Sequence, residues 1–268
     1  MANFLTANKL KVNDEKTHLL VMTTRQKRRH FDTGSMTITT PTAVVKPSSV
    51  ERLLGAQIHE DMRWKEHIME NEDSLLKSLN QRQGAIKKIS KVASFKSRKM
   101  LANGVFMSKL IYLMPVWAGC EVYLVNALQI IQHKLARSVT KKDIFTPTQV
   151  LMKECGWLTV KQLLVYHSLV QFQKTILQQA PSYLYKRITD QLSILETSSH
   201  YNYNTRQEAS GALRQFKGAV ARLDLAERSW CWRAAKTYHT LPVGIKNIEK
   251  QSKFKTELKA WVKKNIEP

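Results

Sequence analysis

Residues 68–93 read IMENEDSLLKSLNQRQGAIKKISKVA, and this segment decides the fold class. Its apolar positions, at steps of seven, four, seven, three and four, are Ile68, Leu75, Leu79, Ile86, Ile89 and Ala93. Steps of three, four and seven return a side chain to the same face of an α-helix. The segment therefore predicts one long amphipathic helix that begins near Trp64.

Two more segments with the same period follow. The second predicted helix covers 97–113 and ends before Pro115, and its inward residues are Leu101, Val105, Leu110 and Leu113. The third covers 121–139 and buries Val125, Leu128, Ile131 and Leu135. Three linked amphipathic helices predict a compact bundle.

Further helix starts are visible as capping patterns. In Thr146–Gln149, a hydroxyl precedes a proline at the first helical position and a glutamine at the third. Gly156 suits the left-handed backbone conformation that commonly ends a helix. Thr159–Gln162 repeats the Thr-x-x-Gln pattern and predicts a helix to about residue 179, before Pro181. Two more helices are expected, one through residues 230–238 and one over 252–265.

The first 68 residues have a different pattern. A short strand is predicted within 17–24, and strand-like runs follow at 36–45 and 50–58, with breaks at Pro41, Pro47 and Gly55. We expect a small antiparallel arrangement there. The fold class is therefore mainly α, with a small α+β region at the N-terminus. The expected organisation is an α+β region at 1–68, a helical bundle at 69–145, a helical extension at 146–190, a linker at 191–210 and a helical unit at 211–268.

The charge balance points to a polyanionic partner. The 268 residues include 43 Lys and Arg against 21 Asp and Glu, which gives a formal net charge of +22. Such an excess is unfavourable through self-repulsion unless an anion is bound. Nucleic acid is the leading candidate and an anionic membrane surface is the second, because the charge is spread over many helices.

Composition also argues against several classes of protein. The 3 cysteines are far apart and odd in number, so no disulfide framework is expected and an intracellular location, cytoplasm or nucleus, is favoured. No closely spaced Cys/His set suggests a metal site. No signal peptide or membrane-spanning segment is evident.

Three motifs in order carry a family resemblance. They are Asn8–Thr17 (NKLKVNDEKT), Leu53–Ile58 (LLGAQI) and Asp61–Ile68 (DMRWKEHI). In order and spacing, these resemble the last palm motifs of reverse transcriptases from non-LTR retrotransposons of the jockey-like kind. Residues 228–261, with Leu241-Pro242 and two Phe-Lys or Leu-Lys pairs, resemble the closing segment of the same polyproteins, although Tyr238 and His239 replace its usual Trp-Asn.

The resemblance implies the back half of an RNA-directed DNA polymerase: the end of the palm, then the thumb and the C-terminal segment. The catalytic Tyr-x-Asp-Asp turn is missing from this sequence. The intact polymerase would use Mg²⁺ held by converging carboxylates, together with the missing N-terminal half. No catalytic residue is expected in this chain, which should bind an RNA template, an RNA–DNA duplex or a DNA duplex without copying it.

Individual residues receive roles only through the resemblance. Lys16 would lie near the triphosphate and give general-acid assistance in the intact polymerase; the alternative is a solvated lysine at a strand start. Leu54 and Gly55 resemble the hairpin that holds the primer end, and the alternative is an ordinary turn. His67 would begin the thumb helix as a polar contact, next to Trp64 at the junction with the palm.

Basic clusters are the expected phosphate contacts. They are Arg25, Lys27, Arg28 and Arg29; Lys87, Lys88 and Lys91; Lys96, Arg98 and Lys99; and Arg137, Lys141 and Lys142. A stripe of Lys255, Lys259 and Lys263 lies opposite Phe254, Leu258 and Trp261 on the last helix. The acidic neighbours Asp14-Glu15, Glu60-Asp61 and Glu72-Asp73 are expected to cap helices or to balance nearby cations.

Two other functions stay open. One is a helical protein-interaction module derived from a dead element, which binds protein rather than nucleic acid. The other is a membrane-surface protein that uses the lysine stripe against anionic lipid. The oligomeric state is not determined by the sequence.

Overall fold

The computed structural model describes residues 7–9, 13–30, 32–40, 43–186, 188 and 228–267. The chain is mainly helical, with a small strand region at the N-terminus followed by helices, as the sequence predicts. It divides into two compact units, residues 1–78 and 79–268. The predicted linker at 191–210 and residues 10–12 of the first motif lie outside the described residues.

The first unit contains short strands in three separate pairs within its described part. These are β1 (Leu19–Leu20) with β4 (Pro47–Ser48), β2 (Ile38–Thr39) with β3 (Val44–Val45), and β5 (Val50–Leu53) with β6 (Ala56–His59). The first pair is parallel, so the prediction of a purely antiparallel arrangement is wrong for β1 and β4. A break in strand structure was predicted at Pro47, but Pro47 is the first residue of β4. Proline is tolerated there because β4 pairs with a single neighbour among the described strands and is therefore an edge strand.

The predicted long helix begins later than its apolar pattern suggests. Residues Glu66–Glu70 form a separate π-helical turn, and the α-helix, α2, covers Leu75–Ile89. A shorter helix, α1, precedes both at Arg25–Arg28. Leu79 and Ile86 are buried as predicted, whereas Ile89 is 44% exposed because it lies in the last turn of α2.

The second predicted helix is interrupted in its middle. It consists of α3 (Phe95–Leu101), a π-helical segment (Ala102–Met107) and α4 (Ser108–Ile111). A π-helical turn holds more residues than an α-helical turn, so it rotates the face that points inward. Phe106 and Leu110 are consequently fully buried, whereas Val105, predicted to be inward, is exposed.

The remaining helices are α5 (Met114–Trp117), α6 (Val122–Thr140), α7 (Thr148–Cys155), α8 (Val160–Ile176), α9 (Trp230–His239), α10 (Val243–Lys246) and α11 (Gln251–Asn265). Of these, α6, α7, α8, α9 and α11 lie close to their predicted bounds. The short helices α5, which contains Pro115, and α10 were not predicted. Thr159 and Gln162 form the predicted capping box, and Gly156 ends α7 with φ of 68°. Pro147, and not Thr146, is the N-cap of α7, a shift of one residue.

The core of the second unit lies where α6, α8, α9 and α11 meet. Fully buried residues include Leu128 and Leu135 of α6, Leu169 of α8, and Phe254 and Leu258 of α11. No helix in the described ranges is long and apolar enough to cross a membrane.

Buried glutamines connect these helices. Gln132 of α6 is fully buried and donates to the carbonyl of Leu158 over 2.9 Å. Gln162 donates to the carbonyl of Ile266 over 2.9 Å, which fixes the start of α8 against the end of α11. Gln173, at the other end of α8, donates to the carbonyl of Ile248. Each bond satisfies a polar group that would be unfavourable to bury alone.

Candidate nucleic-acid interface

The predicted contact residues fall into both units, which are described separately. The first unit holds Lys16, Arg25, Lys27, Arg28, Arg29, Leu54, Gly55 and His67. The second unit holds Lys87, Lys88, Lys91, Lys96, Arg98, Lys99, Arg137, Lys141 and Lys142.

Lys16 ends a single 3₁₀ turn, Asp14–Lys16, and its side chain is exposed. Asn13 fixes this turn, because its side-chain oxygen accepts from the backbone N–H of Lys16 over 3.2 Å. Its backbone carbonyl also accepts from the Thr17 hydroxyl over 2.8 Å. The Asn-x-x-Lys-Thr pattern therefore has a local structural role that presents Lys16 to solvent.

The basic residues of α1 do not all point to solvent. Lys27 and Arg29 are exposed, and the turn is capped by Thr24. Arg28 instead forms ion pairs with Glu60 and, over 3.0 Å, with Asp61. The acidic pair therefore balances a nearby cation, as expected for these carboxylates, and Arg28 holds α1 to the end of β6. Arg25 belongs to the same helix.

Leu54 and Gly55 form the two-residue turn between β5 and β6. Leu54 has φ of 50° and Gly55 has φ of 82°, and two positive values in succession define a type I′ hairpin turn. Glycine adopts this backbone readily, whereas leucine adopts it with strain. Leu54 is 76% exposed, so an apolar side chain stands at the tip of the hairpin.

His67 is buried, and its predicted contact with nucleic acid stays a prediction. Only 7% of it is exposed, and its Nδ1 accepts from the backbone N–H of Gln57 over 3.3 Å. Its ring also makes an edge contact with Trp64. The histidine thus ties the π-helical turn to β6.

Carboxylates of the described residues do not converge as a two-metal centre requires. Glu60 and Asp61 pair with Arg28, and Asp73 pairs with Arg52 over 3.1 Å. No group of three His, Cys, Asp or Glu side chains within the described ranges could hold a metal ion. The residues present do not fit the Mg²⁺ of an intact polymerase, and no chemical step through that ion is assigned to this chain.

Arg98 is also buried, and its predicted phosphate contact stays a prediction. It is 6% exposed, with Nε donating to the carbonyl of Val139 over 2.7 Å and Nη1 to the carbonyl of Ala93 over 2.6 Å. Val139 lies in the last turn of α6, and Ala93 precedes α3. The positive guanidinium is favourable beside the carbonyl of Val139, which lies at a helix C-terminus. Arg98 therefore joins α3 to the end of α6.

This joint connects the segments of the second unit that carry three of the predicted basic clusters, and their lysines are here named the basic end. Its members are Lys87, Lys88, Lys91, Lys96, Lys99, Lys141 and Lys142. Lys141 donates from Nζ to the carbonyl of Lys91 over 3.3 Å, although 50 residues separate them in sequence. Lys142 pairs with Glu154 over 3.2 Å, and no other member has a carboxylate partner among the described residues. Arg137 lies beside this surface, half-buried, and donates to the carbonyl of Ile144.

The lysine stripe of α11 adjoins the basic end through Lys99. Burial, followed by the neighbouring Lys263 and Lys99, lowers the pKa of Lys259. Repulsion between lysines of this kind indicates a concentration of positive charge that an anion would relieve. The opposite face of α11 is buried at Phe254 and Leu258, as predicted, but Val262 is buried in place of the predicted Trp261.

Apolar side chains at the basic end were not anticipated from the sequence. Val92 is 90% exposed and Phe145 is 89% exposed, with Ile144 also exposed at 72%. They lie in the two loops that follow α2 and α6, which the Lys141 hydrogen bond connects. A run of Lys-Val-Ala or Asp-Ile-Phe in a loop gives no periodic signal, so sequence reasoning could not place them together.

Cys120 and Cys155 are not in disulfide bonds. Burial raises the pKa of Cys120 to about 12 and that of Cys155 to about 11. A thiol with so high a pKa is protonated at neutral pH and is a poor nucleophile. Neither residue is a candidate for covalent chemistry.

Comparison of the chain with known protein families, with curated proteins and with solved structures gives no match in any of the three.

Proposed function

We propose that this protein binds nucleic acid, single-stranded or duplex, through the phosphates, as the post-catalytic part of a non-LTR retrotransposon reverse transcriptase. The basic end carries the proposal: its lysines lie in two segments, residues 87–99 and 141–142, that Lys141 and Arg98 connect, and they have a single acidic partner among the described residues. Lysine ammonium groups bind phosphate as point charges and release counterions on binding.

The buried Arg98 supports the same interpretation. The protein uses this cation to hold α3 against α6, and the neighbouring lysines stay at the surface. A solvated helix face commonly alternates acidic and basic residues, as expected for a surface without a polyanionic partner. The basic end instead concentrates one sign of charge, and this excess favours encounter with a polyanion.

The polymerase origin rests on the three motifs and on a hairpin with an exposed tip. The turn at Leu54 and Gly55 has the form that the resemblance expects of a primer-holding hairpin. Sequencing the transcript to its cap tests this origin. An in-frame Tyr-x-Asp-Asp upstream of Met1 would support it, and an upstream reading frame of unrelated sequence would contradict it.

Binding is tested by fluorescence anisotropy of a labelled RNA–DNA duplex across a salt series. Each neutralised phosphate adds about 0.9 to the slope of log affinity against log salt. The triple variant Lys87→Gln, Lys88→Gln, Lys91→Gln should therefore lower the slope by up to about 2.7. Affinity without salt dependence would contradict the proposal.

A matched control removes three lysines from another place. Lys174, Lys250 and Lys253 lie around the junction of α8 with α11, where Gln173 contacts Ile248 and Gln251. The triple glutamine variant at these positions has the same net charge as the variant at Lys87, Lys88 and Lys91, but its basic end is intact. We expect its salt slope to stay near that of the unaltered protein. An equal loss in both variants would mean that total charge, and not this surface, governs binding.

The rival function, a protein-interaction module, is favoured by the exposed Val92, Ile144 and Phe145. Replacing Val92 and Phe145 by serine separates the two functions. Duplex binding through phosphate should change little, whereas capture of a protein partner through an apolar surface would be lost. Charge reversal at Arg28 is a poor test, because its ion pairs with Glu60 and Asp61 stabilise the first unit.

A further inference from the structure

The loop that follows α6 holds its most exposed apolar residues in a closed turn. The backbone N–H of Thr146 donates to the carbonyl of Asp143 over 3.1 Å, which closes a β-turn with Ile144 and Phe145 at its two central positions. The Asp143 carboxylate accepts from the backbone N–H of Phe145 over 3.0 Å. Arg137 of α6 donates from Nη2 to the carbonyl of Ile144 over 3.4 Å. The backbone that carries the Phe145 ring is therefore fixed before any ligand binds.

The residue types at this turn are unusual for their position. Central turn positions favour Gly, Pro, Asn, Asp and Ser, whereas this turn carries isoleucine and phenylalanine. A single exposed apolar side chain is common on protein surfaces and indicates no function by itself. Phe145, however, is 89% exposed, so both faces of its ring are open to a flat ligand. Covering the ring would remove apolar surface from water, which is favourable.

Cations lie in the same loop as the aromatic ring. Lys141 donates from Nζ to the carbonyl of Lys91 over 3.3 Å, and an ammonium group has three donors, so two more can serve a phosphate. Lys142 pairs with Glu154 over 3.2 Å, and both side chains of this pair are partly exposed. Such a pair contributes little to stability, so Lys142 can exchange its partner for a phosphate at small cost.

The loop that follows α2 is fixed against the same lysine. Its Lys91 carbonyl accepts from Lys141, and its Ala93 carbonyl accepts from Nη1 of Arg98 over 2.6 Å. Val92 lies between these two anchored carbonyls, and its side chain is 90% exposed. Lys141 therefore connects two rigid loops, each of which presents an apolar side chain to solvent next to a lysine.

We propose that Phe145 binds an unpaired base of a single-stranded nucleic acid by stacking, with Lys141 on a neighbouring phosphate. An aromatic ring for the base and a cation for the backbone are the two elements by which proteins bind single strands. The inference rests on the function proposed above and specifies its ligand, a strand with at least one base whose faces are free. Inside a duplex these faces are covered by neighbouring base pairs, so Phe145 should contribute little to duplex binding.

An anionic membrane fits these observations less well. Binding at a bilayer surface commonly uses the whole apolar face of an amphipathic helix. The apolar faces of α6 and α11 are instead buried in the core of the second unit. The apolar contact that remains here is made by single side chains at loop tips, which suits one base better than a lipid surface.

The test compares two labelled single strands of equal length and equal charge. One is oligothymidylate, and the other has the same phosphodiester backbone with an abasic site at every position. Binding to the full chain is measured by fluorescence anisotropy at one salt concentration. We expect oligothymidylate to bind about fivefold or more tightly than the abasic strand, because stacking requires the base. Phe145→Ser should remove most of this difference and leave the affinity for the abasic strand and its salt dependence unchanged.

Two further variants assign the effect to the ring. Tyr123→Ser is the matched control, since Tyr123 is also an exposed aromatic residue but lies in the first turn of α6, about 27 Å along the helix from Lys141. It should keep the full preference for oligothymidylate. Phe145→Trp, which keeps an aromatic face, should retain or increase the preference. Thermal unfolding of Phe145→Ser should match that of the unaltered protein, because the ring is exposed.

The outcomes separate this inference from the function on which it rests. Equal binding of the two strands by the unaltered protein would overturn the inference, while salt-dependent binding of the abasic strand would still support a phosphate-binding function. An equal loss in Phe145→Ser and Tyr123→Ser would also overturn it. Absence of binding to either strand would contradict both. Vesicles of phosphatidylserine and phosphatidylcholine are the last probe. Vesicle binding that Phe145→Ser abolishes, without a preference for oligothymidylate, would make the turn a membrane contact and overturn the inference.

Discussion

The two units of this chain differ in how they are held together. In the described part of residues 1–78, the buried apolar side chains are those of Ala56, Ile68 and Leu75. In residues 79–268, by contrast, entire faces of α6, α8 and α11 are buried. The first unit depends on short strand pairs and ion pairs, whereas the second has a true core. The motifs that resemble a polymerase palm thus lie mainly in the first unit, which buries fewer apolar side chains than the second.

The largest expected effect tests this difference directly. Leu128 of α6 is fully buried, and Leu128→Ala removes its contacts and leaves a cavity. We expect a loss of about 3–4 kcal/mol in the free energy of unfolding. Leu53→Ala, at a leucine of β5 that is 59% exposed, should cost no more than about 0.5 kcal/mol.

Urea denaturation followed by circular dichroism measures the first change, and hydrogen exchange of the β5 and β6 amides measures the second. Equal losses at Leu128 and Leu53 would mean that the hairpin packs as tightly as the helical core. Such a result would break the distinction between the units.

Substitution of two arginines, one in each unit, gives the next largest expected loss of stability. Arg98→Ala removes two hydrogen bonds and leaves the carbonyls of Val139 and Ala93 without them, for an expected cost of about 2–3 kcal/mol. Arg28→Ala breaks two partly buried ion pairs, with Glu60 and Asp61, for about 1 kcal/mol. Lys96→Ala, at an exposed position on α3, is the control and should be nearly neutral.

Duplex binding sharpens the result for Arg98. Because Arg98 joins α3 to α6, its loss should weaken binding by moving the lysines of the basic end apart. Addition of saturating duplex should then partly restore stability, since a ligand that binds only the folded state stabilises it. Undiminished stability of the Arg98→Ala variant would contradict the structural role assigned here.

These arginines also show what sequence can and cannot predict. The helices α6, α8 and α9, the Thr159 capping box, the Gly156 exit and the burial of Phe254 and Leu258 were predicted correctly, because each follows from a local pattern. The burial of Arg98 was not predicted, since nothing in Phe-Lys-Ser-Arg-Lys distinguishes the one cation that turns inward toward distant carbonyls.

Local sequence patterns also fail to predict the exposure of Val105 and the burial of Gln132. A π-helical segment adds a residue to the turn and shifts the inward face, and no residue type marks it reliably. Gln132 is fully buried, yet it was not singled out in the sequence. Its hydrogen-bond partner, the carbonyl of Leu158, is 26 residues away, so no local pattern could reveal it. Long-range hydrogen bonds of this kind are absent from any local pattern.

Acid should destabilise the second unit through His133. The amide of Gln129 is oriented by its oxygen, which accepts from the N–H of Val160 over 2.7 Å, so its nitrogen faces Nε2 of His133 at 2.7 Å. His133 must accept that hydrogen bond in its neutral form. Burial, and then Arg137, lower the pKa of His133 below its ordinary value.

The sign follows from the protons bound in each state. The unfolded chain takes up a proton near the ordinary pKa, about 6.5, before the folded chain does, so stability falls as pH falls through that range. Between pH 7.5 and 5.5 we expect a contribution below about 1 kcal/mol, because the ring is only half-buried. His133→Gln, which keeps an acceptor, should reduce the pH dependence of unfolding. An unchanged profile in His133→Gln would contradict this role.

The smallest effect concerns the tip of the hairpin. Leu54 occupies a positive-φ position that asparagine adopts more readily, and its side chain is largely exposed. Leu54→Asn should therefore stabilise the hairpin by about 0.5–1 kcal/mol and slow exchange of the β5 and β6 amides roughly two- to five-fold. Gly55→Ala, which places a Cβ at φ of 82°, is the opposing control and should speed exchange.

The proposed primer-holding role of the hairpin gives Leu54→Asn a second readout. If the strained leucine serves contact with a primer, the variant should gain stability in the first unit while losing affinity for an RNA–DNA duplex. Leu53→Asn, the neighbouring exposed position on β5, should lose no affinity. Unchanged duplex binding in a stabilised Leu54→Asn protein would remove the hairpin from the interface and leave the basic end of the second unit as the surface that binds nucleic acid.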